Sequence, residues 1–136
     1  MSIQQSVAIE QCRMPTTDQI VAKAAEWGFE IGLESADLRT HSGYLPGSLN
    51  GTQGGFEWLV EPSEGYADWP VPIEFGSRDV VVTLTTHSDE TECQLAMICA
   101  GAVLELADGV LFDDFDNVDT SPDRILEEVR QWIEDS

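Results

Sequence analysis

The chain has 136 residues, 26 of them acidic and 6 basic, giving a formal net charge of −20 and a sequence pI near 4.1. That length suits one domain, residues 1–136, and buries about two-thirds of the unfolded surface; 42% hydrophobic residues argue against global disorder. The charge excludes ordinary binding to nucleic acid or to anionic membranes, since phosphates require Lys and Arg and Lys23 is the only lysine.

The same charge favours a cationic partner, whose approach it would speed at low salt. A salt-adapted acidic proteome would also produce it, but with the charge spread evenly along the chain. Cys12, Cys93 and Cys99 are odd in number and lack metal-ligand spacing, which fits free thiols in a reducing cytoplasm. The N-terminus has no basic region followed by a long apolar stretch, so it does not read as a signal peptide. The apolar run Leu95 to Leu104 is too short to span a bilayer.

In chain order, Ser6 to Cys12 alternate weakly and suggest a short strand or lead-in. Thr16 or Thr17 then caps a helix over about Thr17 to Trp27, with Ile20, Ala24 and Trp27 on one face and Gly28 as its left-handed stop. Phe29, Ile31 and Leu33 alternate with polar residues and glycine as a half-buried strand. Asn50-Gly51 is a hairpin turn between arms Tyr44 to Leu49 and Phe56 to Val60. Pro46 places the first arm at an edge or ends its pairing, and Gly54-Gly55 suggests a bulge or wider loop. Phe56, Trp58 and Val60 share one face. "EPSEGYADWPVPIEFGS" is a long irregular excursion, of the kind that often carries function. Arg78 to Thr86 is the clearest strand and is expected at the sheet centre.

Ser88 is expected to cap the next helix, with Asp89, Glu90 and Glu92 in its first turn. From Cys93 to Ala107 this helix is apolar on nearly all sides, so it should lie across the sheet under another helix or a second subunit. Asp108-Gly109 ends it, and "VLFDDF" is a short strand. Ser121 as N-cap and Pro122 at the first helical position open the last helix, with Ile125, Leu126, Val129, Trp132 and Ile133 inward. The expected fold is a two-layer α+β domain, a mainly antiparallel sheet with helices packed on it, as a split βαβ or ferredoxin-like variant.

The acidic run "LFDDFDNVDTSP" fails as a calcium loop. Counting from Asp114, Asp116 fits, but Val118 takes the next ligand position and Ile125 stands where the bidentate glutamate belongs. Neither His41 nor His87 belongs to a metal or catalytic motif, and "GSLNGTQGG" lacks the lysine of a phosphate loop. No metal, cofactor or catalytic residue is therefore expected. Trp58 reads as core. Tyr66 and Trp69 lie among Glu61, Glu64, Asp68 and Glu74, and aromatics ringed by acids complement an Arg- and Lys-rich surface.

Three stretches, "HSGYLPGSLNG...GGFEWLVEP", "RDVVVTLTTHSDETECQLAMICAGAVLELADGVLFDD" and a closing amphipathic helix, together resemble small bacterial immunity proteins encoded beside polymorphic or contact-dependent toxins. The resemblance spans roughly Ser42 to Ile133 and rests on structural rather than catalytic motifs. It implies a non-enzymatic cytoplasmic inhibitor, monomeric or homodimeric, that covers the active site or substrate groove of a basic toxin domain, for instance a nuclease. The contact candidates are Asp113, Asp114, Asp116 and Asp119 in one group, and Glu61, Glu64, Tyr66, Asp68, Trp69 and Glu74 in the other. A phage-type nucleic-acid mimic aimed at a host defence nuclease would suit the charge equally. A small-ligand or enzyme module would need a deep pocket holding His41 or His87 with a carboxylate.

Overall fold

A computed structural model describes residues 3–66, 76–87, 89–112 and 118–135. The described residues form strands β1 (Ile3–Ile9), β2 (Ile31–Leu33), β3 (Gly43–Leu49), β4 (Thr52–Pro62), β5 (Val80–Thr86), β6 (Val110–Phe112) and β7 (Val118–Asp119). The helices are α1 (Thr17–Glu26), α2 (Glu90–Ala107) and α3 (Asp123–Asp135), with short 3-10 turns at Gln11–Arg13 and Ser63–Tyr66. The strands make one sheet in the order β2-β3-β4-β5-β1-β6-β7, and every neighbouring pair is antiparallel.

Because β5 and β6 both run antiparallel to β1, they are parallel to each other, and α2 connects them. This is a split βαβ unit with β1 inserted between its strands. The seven-stranded order as a whole extends well beyond a ferredoxin-like sheet. The N-terminal stretch is more than a lead-in. It is a central strand ending at Ile9, and Cys12 lies in the 3-10 turn that follows. Its alternation is weak because Val7, Ala8 and Ile9 are all fully buried, so both faces of this strand are covered. Ser6 reaches Thr83 through their hydroxyls at 3.3 Å.

Asn50 (φ 51°) and Gly51 (φ 84°) take the positive φ values of a tight hairpin turn, and Leu49 pairs directly with Thr52. The register then runs unbroken through Gly54 and Gly55, so there is no bulge. Those glycines serve close approach instead: Thr91 and Glu92 of α2 lie beside Gly54, and the Tyr44 ring and the Leu45 carbonyl crowd Gly55. Pro46 is not on an edge strand, since β3 lies between β2 and β4. It does stand where the β2 ladder stops: its carbonyl accepts from the Glu34 N–H, but it has no N–H to return. β4 continues to Pro62, so the expected excursion begins as strand and then a 3-10 turn.

All three helices pack on one face of the sheet. Ile20 and Ala24 of α1, the whole inner length of α2, and Ile125, Leu126 and Val129 of α3 share one core with Val7, Ile9, Val82, Leu84, Phe56 and Leu111. Each of the buried Val, Leu, Ile and Phe side chains among these contributes about 1.5–3 kcal/mol of hydrophobic stabilisation. Residues Cys93 to Leu104 are buried without interruption because α2 is covered by the sheet, α1 and α3, and so needs no second subunit to hide it. Trp58 is fully buried and donates its indole N–H to the Leu38 carbonyl at 2.9 Å.

Helix ends follow local chemistry. Thr16 and Gln19 form a reciprocal capping box on α1, and Gly28 (φ 89°) turns the chain out of it. Asp89, rather than the neighbouring Ser88, caps α2 by accepting from the Glu92 N–H at 2.9 Å; Ser88 lies outside the described residues. Asp108 takes the left-handed position at its C-terminus. The Ser121 hydroxyl accepts from the Asp123 N–H at 3.2 Å, the bond expected of an N-cap with Pro122 in the first turn. Among the described residues no helix is long and apolar enough to cross a membrane.

Candidate functional site

The described helices lie on one face of the sheet; on the opposite face Ser6, Ala8, Val81, Thr83 and Phe112 are buried as well, and the exposed part is on the β3–β4 side, at Tyr44, Glu57 and Leu59. Register fixes the rows of that opposite face. Tyr44, Glu57, Thr85 and Gln4 stand side by side across β3, β4, β5 and β1. Leu59, Thr83, Ser6, Phe112 and Val118 form the next row, across β4, β5, β1, β6 and β7. Glu61, Val81, Ala8 and Val110 form a third.

The centre of this face is a small apolar cluster of Ala8, Val81 and Phe112, with Tyr66 packed on it. The Tyr66 ring meets Phe112 edge to face at 5.6 Å, and its hydroxyl donates to Glu61 at 3.0 Å. Burial pushes the Tyr66 phenol above its ordinary pKa; a hydrogen bond with Thr83 opposes that shift and Glu61 reinforces it. Tyr66 therefore stays neutral and ties the end of β4 to β6. Glu64 projects from the same 3-10 turn, exposed. Tyr66, a member of one of the two contact groups named from the sequence, thus packs on Phe112, the last described residue before the other group. Asp68, Trp69, Glu74, Asp113, Asp114 and Asp116 lie outside the described residues.

Asp119 has another setting. It stands beside Leu111 on the helix-bearing face of β7, where one carboxylate oxygen takes two bonds from Arg124, at 2.7 and 2.9 Å. Arg124 also meets Glu128 at 2.7 Å. The Asp119 hydrogen bond leads in raising the Arg124 pKa. Asp119 consequently brings to any partner a charge already met by an internal cation.

Sequence reasoning missed Glu57 and Leu59 and left Tyr44 out of the contact group. The signal was present in the alternation of β4: if Phe56 and Trp58 point inward, Glu57, Leu59 and Glu61 must point outward. Tyr44 also donates to Glu92 at 3.1 Å. Desolvation, then that carboxylate, raises its pKa. His87 lies 3.7 Å from Glu57, both exposed, and His41 contacts the Tyr44 carbonyl at 3.1 Å.

A shallow groove lies at one end of the sheet, lined by Glu10, Cys12, Asp37, Arg39, Ser77 and Asp79 among others; neither histidine lines it. Its carboxylates fasten loops. Glu10 bonds the Ser77 hydroxyl, Asp79 accepts from the Gln11 N–H at 2.8 Å, and Asp37 accepts from the Arg39 side chain and backbone. The Arg39 bonds hold Asp37 below the usual carboxylate range. Arg78 forks onto the Asp108 carbonyl at the end of α2, at 2.9 and 3.2 Å. Among the described residues no group of His, Cys, Asp and Glu is placed to hold a metal ion.

The basic side chains are all engaged within the chain. Arg13 pairs with Glu10 and Asp108, Lys23 with Glu26, Arg39 with Asp37 and Arg124 with Asp119 and Glu128. Arg78 holds the Asp108 carbonyl, and Arg130 lies over the Phe29 ring at 5.6 Å. If each of the 6 cations cancels one of the 26 acids, 26 − 6 = 20 negative charges still have no basic counterpart in the chain. Comparison with protein-family models, with curated proteins and with solved structures finds no match for this chain.

Proposed function

We propose that this protein is a non-enzymatic acidic inhibitor that binds a basic bacterial toxin domain in the cytoplasm and covers its active-site or substrate groove. One observation carries the reading: 26 acids against 6 basic residues leave a surplus of 20 negative charges for an external cation to meet, and each of the six basic side chains already makes a contact within the chain. Carboxylates facing a toxin's positive groove take the place of substrate phosphates, and their long-range field steers the encounter. The resemblance of the Ser42 to Ile133 stretch to immunity proteins agrees with this reading. So do three free cysteines, which suit a reducing compartment.

The test is to mix the purified protein with the basic toxin domain encoded beside it and to measure both toxin activity and association rate. A one-to-one loss of activity is expected, with an association rate constant that drops at least about tenfold as salt rises from about 20 mM to about 500 mM. A toxin that stays fully active with the protein in excess at low salt would rule the function out.

A further inference from the structure

We infer that the exposed β3–β4 part of the sheet face opposite the described helices, at Tyr44, Glu57, Leu59 and Glu61, is the docking surface, and that its occupant is an arginine-bearing face of a basic partner protein. The sign of the partner rests on the function proposed above; the location rests on separate observations. The large hydrophobic side chains left exposed among the described residues are Tyr44 (53%), Leu59 (42%) and Val118 (40%). Register puts all three on the face opposite the described helices. Val118 stands apart on β7, with β5, β1 and β6 between it and Leu59, so the apolar part of the patch is Tyr44 and Leu59, diagonal neighbours on β3 and β4.

The chemistry of the patch is mixed in a definite pattern. Along β4, Glu57, Leu59 and Glu61 follow one another on the same face, about 6.6 Å apart, twice the rise per strand residue. Tyr44 stands directly across from Glu57. An arginine side chain fits this alternation in both its parts. Its aliphatic stem covers Leu59 or the Tyr44 ring, and its guanidinium reaches Glu57 or Glu61. Tyr66 already orients Glu61 through its hydroxyl. The patch stands on the paired strands β3, β4 and β5, so little backbone ordering is needed on binding.

A probe that does not depend on the toxin locates the surface: a soluble dodecapeptide of alternating arginine and leucine, titrated into the isotopically labelled protein while backbone amide resonances are followed. Shifts should concentrate at Tyr44, Glu57, Leu59, Glu61 and Thr85. The double variant Glu57→Lys/Glu61→Lys should weaken binding at least about fivefold, and Leu59→Ala at least about twofold, given interaction values typical of surface ion pairs and buried methylenes. Glu127→Lys/Glu134→Lys, which changes net charge equally on the exposed side of α3, should weaken it less than about twofold, the part due to screened long-range charge. Equal losses from the two charge reversals, indifference to Leu59→Ala, or no peptide binding at all would each overturn the assignment. Equal losses would leave the inhibitor function intact, since that depends on net charge and is measured on the toxin.

Discussion

At Gly55 a Cβ would stand 2.6 Å from the Leu45 carbonyl oxygen and 2.6 Å from the Tyr44 hydroxyl. The carbonyl belongs to the paired strand and has no room to retreat, although the tyrosine has some. Gly55→Ala is therefore expected to destabilise the protein by about 1–3 kcal/mol, the usual cost of overfilling a packed site. Urea unfolding reads this directly, and an unchanged midpoint would mean that β3 and β4 separate more freely than their register implies. The same substitution would displace the Tyr44 ring, so it would couple packing to the docking proposed there. A residue-by-residue reading sees two glycines and infers a bulge. The Leu45 carbonyl and the Tyr44 ring together explain why the side chain is missing. Asp119 teaches a similar lesson. In sequence it is one more acid in an acidic run, yet Arg124, five residues on, holds it with two short bonds.

Among the elements, α2 carries the greatest burden, since it contacts the sheet, α1 and α3. Its N-terminus is held by Asp89, whose carboxylate accepts from the Glu92 N–H, and its C-terminus by Arg78 on the Asp108 carbonyl. Asp89→Ala should cost about 1 kcal/mol, the typical loss of a helix cap. The measured quantity is again the unfolding midpoint, and a loss well under about 0.3 kcal/mol would show that packing alone fixes where α2 begins. The existence and span of α2 are legible from its composition and from the Asp108-Gly109 stop. Its two-helix covering is not, because a helix apolar on all sides specifies only that it is surrounded, not by what. β1 was the least legible element. Gln4, Gln5 and Ser6 give it a polar start, and the buried Val7-Ala8-Ile9 run has no alternation to detect. β7, with two residues, is too short to leave a pattern at all.

For the molecule as a whole, the surplus of carboxylates dominates. Self-repulsion at a net charge of −20 opposes compaction, and dissolved salt screens it. Melting temperature should therefore rise by several degrees, on the order of about 1 kcal/mol of stability, as sodium chloride increases from about 20 mM to about 500 mM. A melting temperature that stays flat or falls would show that the charge is already balanced by local contacts. The sequence by itself determined the sign and size of that charge, the α+β character, the hairpin at Asn50-Gly51, the cap at Ser121, and the inward faces of α1 and α3; for α1 it left the cap between Thr16 and Thr17. Each of these is a local property, set by side-chain periodicity or by one residue's backbone preference. The tertiary structure decided the rest: the insertion of β1 into a split βαβ unit, the exclusion of the described helices from one sheet face, and the placing of Tyr44 and Leu59 side by side on that face. Those facts depend on which strands pair. Pairing is governed by contacts between residues far apart in the chain, and no local pattern records them.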